Sequence, residues 1–151
     1  MTRYILAVDP GKATGIAFFE FDREVGDPVL LKTWEATFDN FAEVIRQVLY
    51  HYPNTEVVCE RFTITAQTAK NSQAPFSLEH IGILKQIMVD YKHPVDSLIM
   101  QTPTDAKNMF DNPKLKKLGY WHRGGAGHAL DAIRHGLLHL VKTGWKPTGL
   151  L

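Results

Sequence analysis

The run Ile5-Leu6-Ala7-Val8-Asp9-Pro10-Gly11 constrains this chain more than any other stretch. Residues 4 to 8 have the length and the aliphatic content of a central strand, and Pro10-Gly11 ends it at once. The strand therefore delivers a carboxylate to its own carboxyl end. Holding an ionised Asp in such a place costs several kcal/mol unless a partner compensates, and nearby the sequence offers only Lys12, beyond the turn. An Asp that merely bonds the amides of the turn satisfies the same pattern, so the stretch alone leaves both a structural and a chemical reading open.

The segments Thr14–Phe21 and Val29–Ala36 read as two more strands, separated by the acidic turn at 24 to 28, and three strands joined by short turns imply an antiparallel meander. The period then changes. Phe41, Val44, Ile45, Val48, Leu49 and Tyr52 recur at helical spacing, with Asp39 or Asn40 as the expected cap and Pro53 as the stop. Glu56–Glu60 repeats the pattern of the first strand: an apolar run, Glu60 at its end, then a change of character. A helix between two strands usually returns the second parallel to the first, which would set the carboxyl ends bearing Asp9 and Glu60 side by side. Ligand sites of α/β sheets lie at such ends. A Glu60 paired with Arg61 or with solvent is the bland alternative.

Residues 61 to 76 lack periodicity and read as a loop whose hydroxyls, amides and cations, Arg61 and Lys70, suit phosphates, with Phe62 available to stack on a base. The segment 78 to 91 reads as a helix apolar around much of its circumference, which predicts cover from a second copy and a twofold dimer. A fifth strand is expected at 97 to 100, and Thr102 with Pro103 opens a helix that carries Lys107 one turn in. From 108 to 127 no strong periodicity is evident. Lys114, Lys116, Lys117 and Arg123 are interleaved there with Tyr120 and Trp121, which suits a nucleic-acid backbone as well as a solvated surface.

Charge is unevenly spread. Residues 1 to 100 carry a net −4 and residues 101 to 151 a net +5, giving +1 for the 151 residues. A basic final third permits a polyanion partner. No apolar run approaches the roughly 18 residues of a membrane span, and no signal peptide is evident. With one cysteine, Cys59, inside a strand pattern, an internal disulfide is excluded and a reducing cytoplasm is the expected compartment.

The last helix carries most of the chemistry. On a helical wheel His128, Asp131, Ala132, His135, His139 and Lys142 fall on one side, opposite Leu130, Ile133, Leu137, Leu140 and Val141. His128 and Asp131, three apart, are neighbours. A two-histidine zinc site at His135 and His139 is allowed by spacing, but three carboxylates and one imidazole suit a hard ion, magnesium or manganese, better.

Val-Asp9-Pro-Gly-Lys-Ala-Thr-Gly, Cys-Glu60-Arg-Phe and His128-Ala-Leu-Asp131-Ala, in that order and spacing, resemble the RuvC family of Holliday-junction resolvases, especially its short phage-type members. The resemblance implies one RNase H-like α/β domain over residues 1 to 151, with a five-stranded mixed sheet and helices on both faces. It implies that Asp9, Glu60, His128 and Asp131 are the metal ligands and that Lys107 is catalytic. Ala69-Lys70-Asn71 looks like a family segment, and Phe62 falls near an aromatic that wedges into the junction. The implied reaction is hydrolysis of a phosphodiester with two Mg2+ or Mn2+ ions roughly 3.5 to 4 Å apart. The implied partners are four-way or branched DNA and a second copy of the chain, for paired nicking in DNA recombination and repair. The glycine-rich stretch after Lys107 and the length of the loop after Glu60 depart from the family pattern, so the DNA contacts, including Lys114, Lys116, Lys117 and Arg123, are less tightly implied than the metal site. Two other classes stay open: a sugar-kinase or chaperone type of ATPase, which lacks its second phosphate loop here, and an inert junction-binding protein. A broader branched-DNA or flap endonuclease is the nearer alternative.

Overall fold

In the computed structural model of this chain, the strands are β1 (Arg3–Asp9), β2 (Thr14–Phe21), β3 (Val29–Ala36), β4 (Glu56–Glu60) and β5 (Ile99–Gln101). They form one sheet of order β3-β2-β1-β4-β5. The structure describes every residue except 68, 69, 71 to 73, 124, 126 and 151, and only the backbone at 74, 75 and 150. The first three strands pair antiparallel, whereas β1 with β4 and β4 with β5 are parallel. The mixed sheet and the parallel return of β4 are those expected from the helix between the strands.

Helices cover both faces. On one side α1 (Phe38–His51) and α2 (Ala74–Asp90) pack Phe41, Ile45, Leu84 and Met88 against Leu6, Val8, Ile16 and Val57. On the other, α3 (Pro103–Met109), α4 (Asn112–Leu118) and α5 (His128–Lys142) pack Phe110, Leu115, Ile133 and Leu137 against Ile5, Ala7, Phe19 and Val58. Alternate residues of β1 thus feed opposite cores, and each fully buried aliphatic side chain contributes about 1.5 to 3 kcal/mol. Cys59 is one of these core residues, with no exposure.

Two glycines set α5 close on the sheet. A Cβ at Gly136 would come within 2.5 Å of the Phe19 ring, and one at Gly15 within 1.9 Å of the His128 carbonyl oxygen. The helix therefore lies in near backbone contact with β2 at its first residue, and two turns on Gly136 makes room for the Phe19 ring.

Several local expectations are corrected. Helix α1 begins at Phe38 with Thr37 as its cap, while Asn40 is the return half of a capping box, its Oδ1 accepting the Thr37 N–H at 2.8 Å. Helix α2 starts at Ala74 rather than 78, and β5 is displaced to Ile99–Gln101 because a single 3-10 turn, Val95–Ser97, occupies its expected start. The stretch after 108 holds a regular helix, α4. Asp111 caps it, Pro113 lies in its first turn and Gly119 closes it at φ 86°; these capping residues define a helix too short for periodicity to announce.

Candidate active site

The register builds the site. Asp9 pairs with Gly15 of β2, Val8 with Cys59 of β4, and Glu60 with Gln101 of β5. Gly15, Asp9, Glu60 and Gln101 consequently form a row across four strands at one end of the sheet. Because Ala7 and Val58 belong to the core under α5, alternation puts Asp9 and Glu60 on that same face. The turn after Asp9 is held by Thr14, whose Oγ1 accepts the Gly11 N–H at 3.4 Å, and by Ser77 of α2, which donates to the Pro10 carbonyl at 3.1 Å.

The missing side chain at Gly15 admits the start of α5. Glu35 of β3, the strand partner of Gly15, accepts the backbone N–H of His128 at 2.9 Å and of Ala129 at 3.4 Å, so a carboxylate from the sheet caps the positive end of the helix. His128 is thereby delivered to Asp9, with Nδ1 and Oδ2 3.9 Å apart. Asp131 stands one turn further along. Its Oδ1 accepts a hydrogen bond from Arg134 at 2.7 Å, and the same buried guanidinium donates to the Phe110 carbonyl at 2.8 Å and to Asn112 Oδ1.

His135 and His139, expected on a polar face, are buried at 1% and 5% exposure. That face lies against β4, and each ring meets a glutamate there: His135 Nε2 is 2.9 Å from Glu60 Oε2, and His139 Nε2 is 2.8 Å from Glu56 Oε1. With their Nε2 atoms engaged in this way, the two histidines do not form the zinc pair that spacing allowed.

Electrostatics separates the two strand-end acids. Burial pushes the Asp9 carboxyl up to about 9, and the neighbouring Glu60 and Asp131 push it the same way, with Lys107 opposing. Burial also raises Glu60, but its hydrogen bonds from His135 and Asp9 outweigh that and leave it below the usual carboxylate range. Asp9 thus keeps its proton at neutral pH and donates it to Glu60. Lys12, the cation offered by the sequence, is exposed. As the side chains stand, no three His, Cys, Asp or Glu among the described residues converge on a point an ion would fill. The donor chemistry nevertheless fits a hard divalent cation. Carboxylate oxygens crowd one water-poor strand end, and the proton kept there does weakly what a metal charge does strongly.

The residues expected to touch DNA are more scattered. Phe62 is half-buried in the segment just after Glu60, and Lys70 is exposed. Asn71 lies outside the described residues. On α4, Lys114 donates to the Met109 carbonyl at 3.2 Å and Lys116 stacks over Trp121 at 4.6 Å, whereas Lys117 and Arg123 are exposed. Sequence reading missed Glu35 and Gln101, whose partners are distant in the chain, and Arg134, whose i,i+3 spacing from Asp131 was the one local signal that could have found it.

No family model and no curated protein matches the chain in sequence. Solved structures do match in shape. RuvC of Thermus thermophilus in complex with Holliday junction substrate superposes with a TM-score of 0.69 at 14% identity, over 93% of this chain and 96% of that one. The fowlpox virus Holliday junction resolvase gives 0.56 at 14% identity, over 93% and 99%. The same viral resolvase with its substrate Holliday junction DNA gives 0.56 at 16%, over 91% and 99%. The chain shares the fold of these structures, an α/β fold with a five-stranded mixed sheet and helices on both faces.

Proposed function

We propose that the chain is a metal-dependent endonuclease that resolves Holliday junctions and related branched DNA by paired phosphodiester hydrolysis. The observation that carries this reading is the pair of carboxylates, Asp9 and Glu60, set side by side at one sheet end with His128 3.9 Å from Asp9 and Asp131 one turn along the same helix, where a cation would relieve the repulsion. Carboxylates aimed at phosphate would only weaken DNA binding unless cations lay between them, which argues against an inert junction binder. The superposed resolvases support the choice of substrate.

In this reading Asp9, Glu60, His128 and Asp131 hold Mg2+ or Mn2+, two ions per active site. Bound there, such ions activate water and stabilise the leaving 3′ oxygen. Lys107, whose charge already acts on Asp9 and Glu60, offsets charge on the scissile phosphate. Phe62 wedges against a base, Lys70 and Asn71 contact the DNA, and Lys114, Lys116, Lys117 and Arg123 bind its arms. Residues 1 to 151 act as one nuclease domain in the cytoplasm. Two copies join across α2, whose Leu78 and Val89 are exposed at 44% and 54%, so that two sites meet two strands of like polarity. No helix of the described residues is long and apolar enough to cross a membrane.

The test is cleavage of an immobile four-way junction beside a Y-fork, a 5′ flap and linear duplex, in Mg2+, Mn2+ or EDTA. Paired symmetric nicks in the junction with either metal are expected. Equal nicking of every branched form would replace the resolvase with a broader branched-DNA endonuclease, and binding without product in any metal would leave an inert binder.

A further inference from the structure

The seam between α5 and β4 contains two histidine–glutamate pairs with different surroundings. Glu56 meets His139 and also takes two hydrogen bonds from Arg3, at 2.7 and 2.8 Å. Its charge is closed by a guanidinium. Glu60 meets His135 in the same way, but no lysine or arginine of the described residues lies within ion-pair distance of it. The far edge of the His135 ring is held too: Nδ1 lies 2.9 Å from Gln101 Oε1, the next strand's member of the strand-end row. Gln101 is 4% exposed, and its amide nitrogen finds no partner among the described residues. A buried N–H without a partner is costly, and turning the amide end for end gives it Nδ1 of His135 as acceptor.

We infer that the Gln101–His135 pair is a positioning device for Glu60: it fixes Oε2 and leaves Oε1 as the oxygen offered to a divalent ion. A carboxylate only accepts, so the Nε2 proton belongs to His135 and is donated to Glu60; Nδ1 of the neutral ring then accepts the Gln101 amide N–H, which stops the ring from turning. Hydrogen bonds that orient metal-binding side chains commonly change affinity ten- to a hundred-fold when lost. The His139–Glu56–Arg3 cluster, built from the same parts and already closed by its own cation, is the internal control. This inference rests on the proposal that Glu60 is a metal ligand.

The experiment is Mn2+ binding to the DNA-free protein, read by electron paramagnetic resonance of the free ion, with a thermal melt of every variant. His135→Leu is expected to weaken Mn2+ binding about tenfold, His139→Leu to leave it unchanged whatever it does to the melt, and His135→Gln, which keeps an N–H near the Nε2 position, to restore most of it. If His135→Leu does not fold, Gln101→Leu frees the other edge of the ring and carries the same expectation of weaker binding. Wild-type affinity in these variants, with Glu60→Gln impaired, overturns the positioning role alone. No Mn2+ uptake by the wild type, or uptake that Glu60→Gln does not alter, overturns the metal reading and this inference with it.

Discussion

Replacing Asp9 with Asn should stabilise the metal-free protein, and the gain should grow with pH. An Asp ordinarily near 3.8 that is held at about 9 in the fold must take up a proton on folding between those values. The unfolded state then binds fewer protons than the native state, so wild-type stability falls as pH rises from about 4 to about 9 and is unaffected by this group below 4. At pH 7 the interval of 3.2 units is worth about 4 kcal/mol. For a chain of this size that is roughly 8 to 16 °C in Tm. Asn keeps the shape and a hydrogen-bond donor without the charge. The assay is urea and thermal unfolding of both proteins in EDTA from pH 4 to 9, then with excess Mg2+. The curves should coincide near pH 4 and separate steadily above it, and Mg2+ should raise the wild type while leaving Asp9→Asn nearly unmoved. A variant no more stable than wild type at pH 8, or a gap independent of pH, would refute the reasoning.

Other consequences are equally direct. Gly15→Ala must push the first turn of α5 off the sheet, since its Cβ would lie 1.9 Å from the His128 carbonyl oxygen; overpacking should cost about 1 to 3 kcal/mol, and cleavage should fall at least a hundredfold in single-turnover assays. Hydrogen bonds from Arg3 and His139 overcome the burial of Glu56 and hold it down at about 2, so its stabilisation is complete above pH 4.5 and is lost as pH falls toward 2. Glu56→Gln should therefore lower stability by about 1 to 2 kcal/mol at neutral pH, allowing for the solvent at this half-exposed carboxylate, and the difference should vanish in acid melts near pH 2. Lys117→Ala with Arg123→Ala should weaken junction binding and reduce the slope of log affinity against log salt by about 2, measured by fluorescence anisotropy; an unchanged slope would remove these residues from the DNA path.

Much of the sheet was legible because its signals are local. The runs ending at Asp9 and Glu60 are short and apolar, and Phe41, Ile45 and Leu49 keep a clean helical period, so the antiparallel meander and the parallel return of β4 followed from chain logic, whereas the place of β5 in the sheet did not. The pairing of the two acids is legible in the sequence itself. Hydropathy misplaced His135 and His139, because a wheel assigns polar side chains to solvent and has no means of seeing Glu60 and Glu56 waiting on β4, 75 and 83 residues away. Glu35 was invisible for the same reason: its work as a helix cap is done 93 residues further on. Helix α4 was lost to periodicity yet was written in its caps, Asp111, Pro113 and Gly119.

Asp9 is the centre of the proposed metal-dependent cleavage site. The measurement that tests it most directly is single-turnover cleavage of a four-way junction by wild type and Asp9→Asn, in Mg2+ and in EDTA, with binding recorded on the same samples. The account predicts paired nicks by the wild type in Mg2+ alone, none by Asp9→Asn, and binding by both proteins throughout. Nicking by Asp9→Asn at the wild-type rate, or by the wild type in EDTA, would contradict it.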